Sequence, residues 1–174
     1  MSRKLVSKPL LAGYQLRLGT VRERAILVKF MEFTYQELFP EQNDFSHLAK
    51  TVKQYFSRET PLWWVTAADG NVSRKGYTAT HPLPVGCLWM GNGVDQVNGD
   101  RYGYIFLLYV MPAHRRQGIG SALMQQAEAR ARARGDRQIG LQVFQSNQVA
   151  LNLYHGLGFR TQSLWMVKPL ARKY

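Results

Sequence analysis

Cysteine is almost missing from this chain of 174 residues. Cys87 stands alone, which excludes a disulfide framework and a cysteine-built zinc site. A lone thiol fits a reducing compartment, and a cytoplasmic location is the expectation. Long apolar runs are missing too. The opening stretch MSRKLVSKPLLAGYQLRL holds nothing like the apolar core of a secretory signal. No stretch reaches the roughly 18 apolar residues of a membrane span, so no membrane partner is expected. The histidines His47, His81, His114 and His155 lack metal-ligand spacing, and no metal is expected. Acidic residues are scarce, 11 against 23 Lys and Arg, for a net charge of +12. That excess suits an anionic partner, either nucleic acid or a phosphorylated cofactor, or simply solvated helix faces.

What is present suits one compact domain. Apolar residues make up 45% of the chain, too many to remain solvated, so disorder is excluded. Residues 25–49 hold Glu32, Glu37, Glu41 and Asp44 against Lys29, and are rich in Phe and Tyr. Residues 112–137 are instead dominated by six arginines. Opposite charge in two segments suggests two ligands of opposite sign.

Residues 1–13 read as a flexible N-terminal segment. Tyr14–Leu18 alternates as a strand, and Thr20 with Glu23 makes a capping box before a helix that runs to Phe39, where Pro40 stops it. A second helix spans Phe45–Ser57. Leu62–Ala68 and Val85–Met90 read as strands, and residues 69–83 as a long surface loop. Gly91–Asp100 carries hairpin chemistry. Tyr104–Val110 is apolar without alternation, the pattern of a strand buried on both faces. A helix from Gln117 to Arg134 closes at Gly135, and the chain ends with strand Ile139–Val143, helix Asn147–Leu157 and strand Phe159–Val167. The class is mixed α/β, with six or seven strands and about four helices.

The chemistry concentrates where the buried strand meets the arginine-rich helix. Pro112 is followed by Arg115, Arg116 and Gln117, then Gly118-Ile119-Gly120-Ser121. The first amides of a helix lack intrahelical partners and carry partial positive charge. Glycines let an anion come close, and the arginines add formal charge, so the turn reads as a diphosphate cradle. It is not a Walker loop, because no Gly-Lys-Ser/Thr run exists. Nor is it a dinucleotide fingerprint, because the place of the third small residue is Leu123. A plain Gly-rich connection is the bland alternative.

Arg115-Arg116-Gln117-Gly118-Ile119-Gly120 resembles the Gln/Arg-x-x-Gly-x-Gly/Ala motif of the GNAT superfamily of acetyl-CoA-dependent N-acetyltransferases. Ser146 through Phe159 resembles that family's Asn-x-x-Ala-x-x-Leu-Tyr-x-x-x-Gly-Phe pattern. The resemblance covers residues 84–168 and implies a GNAT-like domain whose central sheet splays at the cofactor strand. It implies that Leu108, Tyr109 and Val110 line the cofactor arm, with the Val110 N–H facing the reacting carbonyl. Arg115 through Ser121 would hold the diphosphate of acetyl-CoA. Asn147 would touch the arm, and Tyr154 would lie near the sulfur as general acid. Members that acetylate protein N-termini carry Glu in a Leu-Glu-Val context, and here that run is Leu141-Gln142-Val143, so no base is evident.

The acceptor, a small amine or peptide, is expected among Glu32, Phe33 and Glu37, whose acidic and aromatic character suits a cation. The state is monomer or homodimer. Two other readings stay open: a GNAT-fold protein that binds acyl-CoA without transferring it, and a basic nucleic-acid-binding protein, which no visible nucleic-acid module favours.

Overall fold

The computed structural model describes residues 7–68 and 83–170. Strands β1 (Ser7–Leu11) and β2 (Tyr14–Leu18) lead into helices α1 (Arg24–Leu38) and α2 (Ser46–Tyr55). Strands β3 (Leu62–Ala67), β4 (Gly86–Val94) and β5 (Arg101–Val110) follow, then α3 (Ile119–Ala133), β6 (Ile139–Leu141) and α4 (Gln148–Gly156). The six strands form one sheet in chain order, antiparallel from β1 to β5, with β6 parallel to β5. The expected mixed α/β sheet with four helices is therefore present.

Both faces of the sheet are covered, which is why its central strands can be apolar throughout. Leu16, Trp63, Val65, Leu88, Met90 and Ile105 pack with Ile119, Leu123, Met124 and Ala127 of α3. On the other face, Trp64, Trp89 and Leu107 pack with Leu27, Phe30 and Met31 of α1 and Leu48 and Val52 of α2. Cys87 is fully buried in that second layer, and burial pushes its thiol far above the ordinary range. It is a packing residue, as its place in an apolar strand implied.

Two expectations need correction. Ser7–Leu11 is a strand, not a flexible leader. Pro9 hides it in the sequence, because proline breaks the strand pattern and shifts the register against β2. Lys8 Nζ donates to Gln126 Oε1 on α3 at 2.8 Å, tying the strand down. The strand expected over Phe159–Val167 does not form. Residues 159–170 carry neither helix nor strand, and Trp165 is 77% exposed while the other three tryptophans are core. Strand propensity needs a pairing partner, and this segment finds none among the described residues. The loop expected over residues 69–83 lies outside the described residues except for its last position.

Local signals elsewhere were sound. Glu23 Oε2 accepts the Thr20 N–H at 2.7 Å, and Gly135, at φ 79°, ends α3. Glu23 also accepts from Arg17 Nη2 at 2.7 Å, and Arg17 is only 8% exposed, with its Nε and Nη1 otherwise unpartnered. Burial alone would raise the Glu23 pKa, but the hydrogen bonds from Arg17 and Thr20 and the Arg17 charge hold it below the usual carboxylate range. A depressed folded pKa stabilises the protein above the unfolded value near 4.5 and loses that contribution as pH falls through the folded value. Glu23→Gln should cost about 2 kcal/mol at neutral pH, less than a wholly buried pair. Its denaturation midpoint should also fall less steeply than the wild type's between about pH 5 and pH 3. Parallel acid dependence in urea titrations of the two proteins would contradict this.

Candidate active site

The site begins with a change of phase in β5. Trp89 pairs with Leu107 and Met90 with Ile105, so Phe106 is an extra residue bulged out of the ladder. Ile105 therefore faces α3, while Phe106 and Leu107 both face α1 and α2. On its other side β5 pairs with β6 only from Gly103 to Ile105. From Phe106 to Val110 that edge has no strand partner among the described residues, so the sheet splays where the resemblance placed the cofactor strand.

Which backbone groups line the open edge follows from alternation. The Met111 N–H donates to Val85 O at 2.8 Å, and the Tyr109 N–H turns toward Cys87, so odd residues here face β4. Leu108 and Val110 consequently direct N–H and C=O to the vacant side. The Val110 carbonyl confirms the direction by accepting from Arg115 Nε at 2.8 Å. Tyr109, expected with them, belongs to the other face. Its hydroxyl donates to Glu37 Oε1 at 2.7 Å, and its pKa is pushed well up, by burial first and by Glu37 second.

At the end of that edge the chain turns through Pro112–His114 into the glycine-bearing segment. Arg116 at φ 62° and Gly118 at φ 82° both adopt the left-handed conformation. For a non-glycine residue this costs about 1 kcal/mol, which the anchored turn imposes. Tyr14 supplies the anchor, donating to Gln117 Oε1 at 2.7 Å and meeting His114 Nδ1 at 2.9 Å. Gln117 and His114 are thus buttresses whose side chains face β2.

No side chain caps α3, and the amides of Ile119, Gly120 and Ser121 have no protein acceptor among the described residues. Arg116 makes no ion pair there either. Arg115 reaches the other way. Its Nη2 lies 2.8 and 2.7 Å from the two Glu37 oxygens, and its guanidinium stands 5.4 Å from the Tyr109 ring centroid. Of the side chains expected at the diphosphate, Arg116 and Ser121 are available, while those of Arg115 and Gln117 are engaged elsewhere. The arginines at the far end of α3 are roughly 20 Å away along the helix and cannot reach the turn. Arg132 pairs with Glu128, and Arg134 joins Asp136 and Asn92.

Asn147 caps α4, its side chain accepting the Ala150 N–H at 3.1 Å, which leaves its amide NH2 free to donate outward. Tyr154 is 9% exposed, and its hydroxyl has no protein partner among the described residues. Burial pushes its pKa up to about 12, so it remains a proton donor at neutral pH. Tyr154 belongs to the same apolar cluster that Leu108 and Val110 pack against.

The acceptor residues divide. Phe33 and Glu37 share a face of α1 against Tyr109, whereas Glu32 pairs with Lys29 at 3.1 Å on the exposed flank. An aromatic ring of residues forms beside them. Tyr35 of α1 and Phe39, just past its end, meet Phe144 of the β6–α4 connection at centroid distances of 6.3 and 5.0 Å, and Tyr35 also meets Phe45 and His47. Tyr104 of β5 adjoins Tyr35, its hydroxyl pKa raised by burial and by neighbouring tyrosines. Phe144 was not foreseen, and only its aromatic character beside Gln142-Val143 hinted at it.

Residues 27–159 match the Acetyltransferase (GNAT) family. The chain belongs to that family. It is an acyltransferase, and its relatives are named accordingly. An uncharacterised N-acetyltransferase of Bacillus subtilis, YdgE, is 28% identical over 88% of this chain and 80% of its own length. A chloroplastic GCN5-related N-acetyltransferase of Arabidopsis thaliana is 39% identical over 38% of this chain, and the match spans only 23% of that protein. The solved structure of a ribosomal-protein-alanine N-acetyltransferase from Brucella melitensis superposes with a TM-score of 0.63 at 18% identity, over 90% of this chain and 99% of that one. That likeness is one of fold. No helix among the described residues is long and apolar enough to cross a membrane.

Proposed function

We propose that this GNAT protein transfers an acetyl group from acetyl-CoA to a primary amine by direct attack. One observation carries the reading: a strand edge without a strand partner among the described residues from Phe106 to Val110 leads, past the Val110 carbonyl that Arg115 holds, to a helix start with three unclaimed amides. The fit is chemical as well as spatial. Carbonyl and amide groups along an extended arm need strand-like partners, and a diphosphate needs backbone donors with positive charge. Leu108, Val110, Ile119, Gly120, Ser121 and Arg116 supply both, and Asn147 can donate to the arm.

Acetyl-CoA supplies an activated acyl thioester. With the diphosphate held at α3, the arm would meet Val110 first and Leu108 deeper in the sheet. The Leu108 N–H is therefore the better oxyanion donor than Val110, whose edge is nearer the cradle. The Tyr154 hydroxyl gives its proton to the departing thiolate. Glu37, with both oxygens engaged by Arg115 and Tyr109, positions the α1 end of the site, and the amine's proton leaves through water.

Because Glu32 and Glu37 are each paired with a cation, the aromatic ring carries more of the acceptor's recognition than the carboxylates do. An ammonium against such faces gains about 0.5–2 kcal/mol. Phe144→Leu should raise the KM of a cationic acceptor several-fold with kcat within twofold, while Glu32→Ala leaves both unchanged. An unaltered KM in Phe144→Leu would remove the ring from the acceptor site.

The reading is tested by following thiol release from acetyl-CoA across polyamines, amino acids, aminoglycosides and N-terminal peptides. At least one amine should turn over. Calorimetric binding of CoA with no turnover on any amine would favour the non-catalytic acyl-CoA-binding reading, and salt-dependent DNA binding with no CoA binding the nucleic-acid reading.

A further inference from the structure

We propose that Tyr14 is a positioning residue for acetyl-CoA, acting through Gln117 and His114 to fix the turn that aims the first amides of α3. The inference rests on the reading that those amides hold a diphosphate, and it names what holds the amides.

The turn has little of its own to hold it. The N–H groups of Arg116, Gln117 and Gly118 donate to no backbone carbonyl among the described residues. Arg116 and Gly118 are left-handed on either side of Gln117, and Arg116 gains nothing locally from that conformation. Such a segment persists only where its surroundings impose it. Two side chains do so here. Arg115 reaches back to the Val110 carbonyl, within the same stretch of chain. Tyr14 comes from 103 residues before Gln117 and bonds at two points, Gln117 Oε1 at 2.7 Å and His114 Nδ1 at 2.9 Å. A hydroxyl carries one hydrogen. With that hydrogen on Gln117, the phenol oxygen accepts from the His114 Nδ1–H. The phenol therefore bridges the end of the Pro112–His114 turn and a residue just before α3. Its ring stands edge-on to the His114 ring, at 86° with centroids 5.8 Å apart.

Tyr14 is rigid enough for this role. It begins β2, and its backbone pairs with Leu11 of β1 and with Ala67 of β3. Its ring is buried in the cluster that packs under α3. A side chain on a paired strand is held more precisely than one on a loop. The same hairpin adds a steric stop, because Leu11 Cδ1 lies 3.6 Å from the point where a Cβ on Gly118 would stand. Strands β1 and β2 thus form a mould for the turn. Donors ordered before the ligand arrives spare the binding step the cost of ordering them.

Tyr14→Phe keeps the ring in the cluster and removes the bridge. Calorimetric titration should show CoA bound about tenfold more weakly, the worth of one ordering hydrogen bond. Pantetheine carries the arm without a diphosphate, and its binding by ligand-observed NMR should stay within about twofold of wild type. A merely structural role would weaken both ligands or neither. Gln117→Leu cuts the bridge from the other end and should reproduce the CoA shift, with the double variant losing less than about twofold more. That variant also carries the test should Tyr14→Phe fold poorly. Wild-type CoA affinity in the folded variants, equal weakening of CoA and pantetheine, or additive losses in the double variant would each overturn the positioning role and leave the amide cradle standing. Wild-type protein that binds CoA no more tightly than pantetheine would overturn the cradle, and this inference with it.

Discussion

Ser121→Asp should weaken CoA binding by about 100-fold while leaving the fold intact or slightly more stable. The two effects have opposite signs because one helix end serves two interactions. Ser121 is the third residue of α3, whose first amides have no protein acceptor. A carboxylate in that first turn interacts favourably with the helix dipole, by a few tenths of a kcal/mol at an exposed position. The same carboxylate opposes a diphosphate seated on those amides. Like charges about 5 Å apart at an effective dielectric near 20 repel by roughly 3 kcal/mol, which is a factor of about 100 in affinity. Thermal denaturation and calorimetric titration of one protein sample read the two effects separately. Loss of CoA binding with loss of the fold would leave the amides unimplicated, whereas retained binding would contradict the cradle.

Tyr154→Phe should lower kcat by about 100-fold, with CoA affinity and melting temperature nearly unchanged. The phenyl ring fills the same site in the cluster with Phe159, and the deleted hydroxyl has no protein partner among the described residues whose loss would be felt. Proton transfer by a positioned side chain is worth about 10²–10⁴ in rate. The hydroxyl matters only as charge develops on sulfur, so kcat falls and ground-state binding does not. With a pKa near 12, the wild-type tyrosine stays protonated across the neutral range. Its ionisation should therefore leave no falling limb in the rate profile below about pH 10. A Tyr154→Phe enzyme with wild-type kcat would assign the proton to another donor.

Much of this site could be read from the chain alone because its determinants are local. Gly118 sits where the backbone turns left-handed, Gly120 in the first turn of α3, and Gly135 where α3 must stop. The uninterrupted apolar run of β5 announced a strand covered on both faces. That same lack of alternation concealed the bulge, since a phase shift at Phe106 is invisible when both phases are apolar. Long-range pairing was not legible either. Arg115 looks like a phosphate ligand until Glu37, 78 residues earlier, proves to hold it. Phe144 joins Tyr35 and Phe39 only because the β6–α4 connection crosses the end of α1. Pro9 hid a strand that its neighbour β2 nonetheless accepts, and Leu164–Val167 has strand composition without a strand partner among the described residues.

Binding of a diphosphate by the backbone amides at the start of α3 is measured directly by a crystal structure of the CoA complex. Phosphate oxygens should lie about 3 Å from the N–H groups of Ile119, Gly120 and Ser121, with the arm along Leu108 and Val110. Electron density for CoA elsewhere, with those three amides bonded only to solvent, would contradict it.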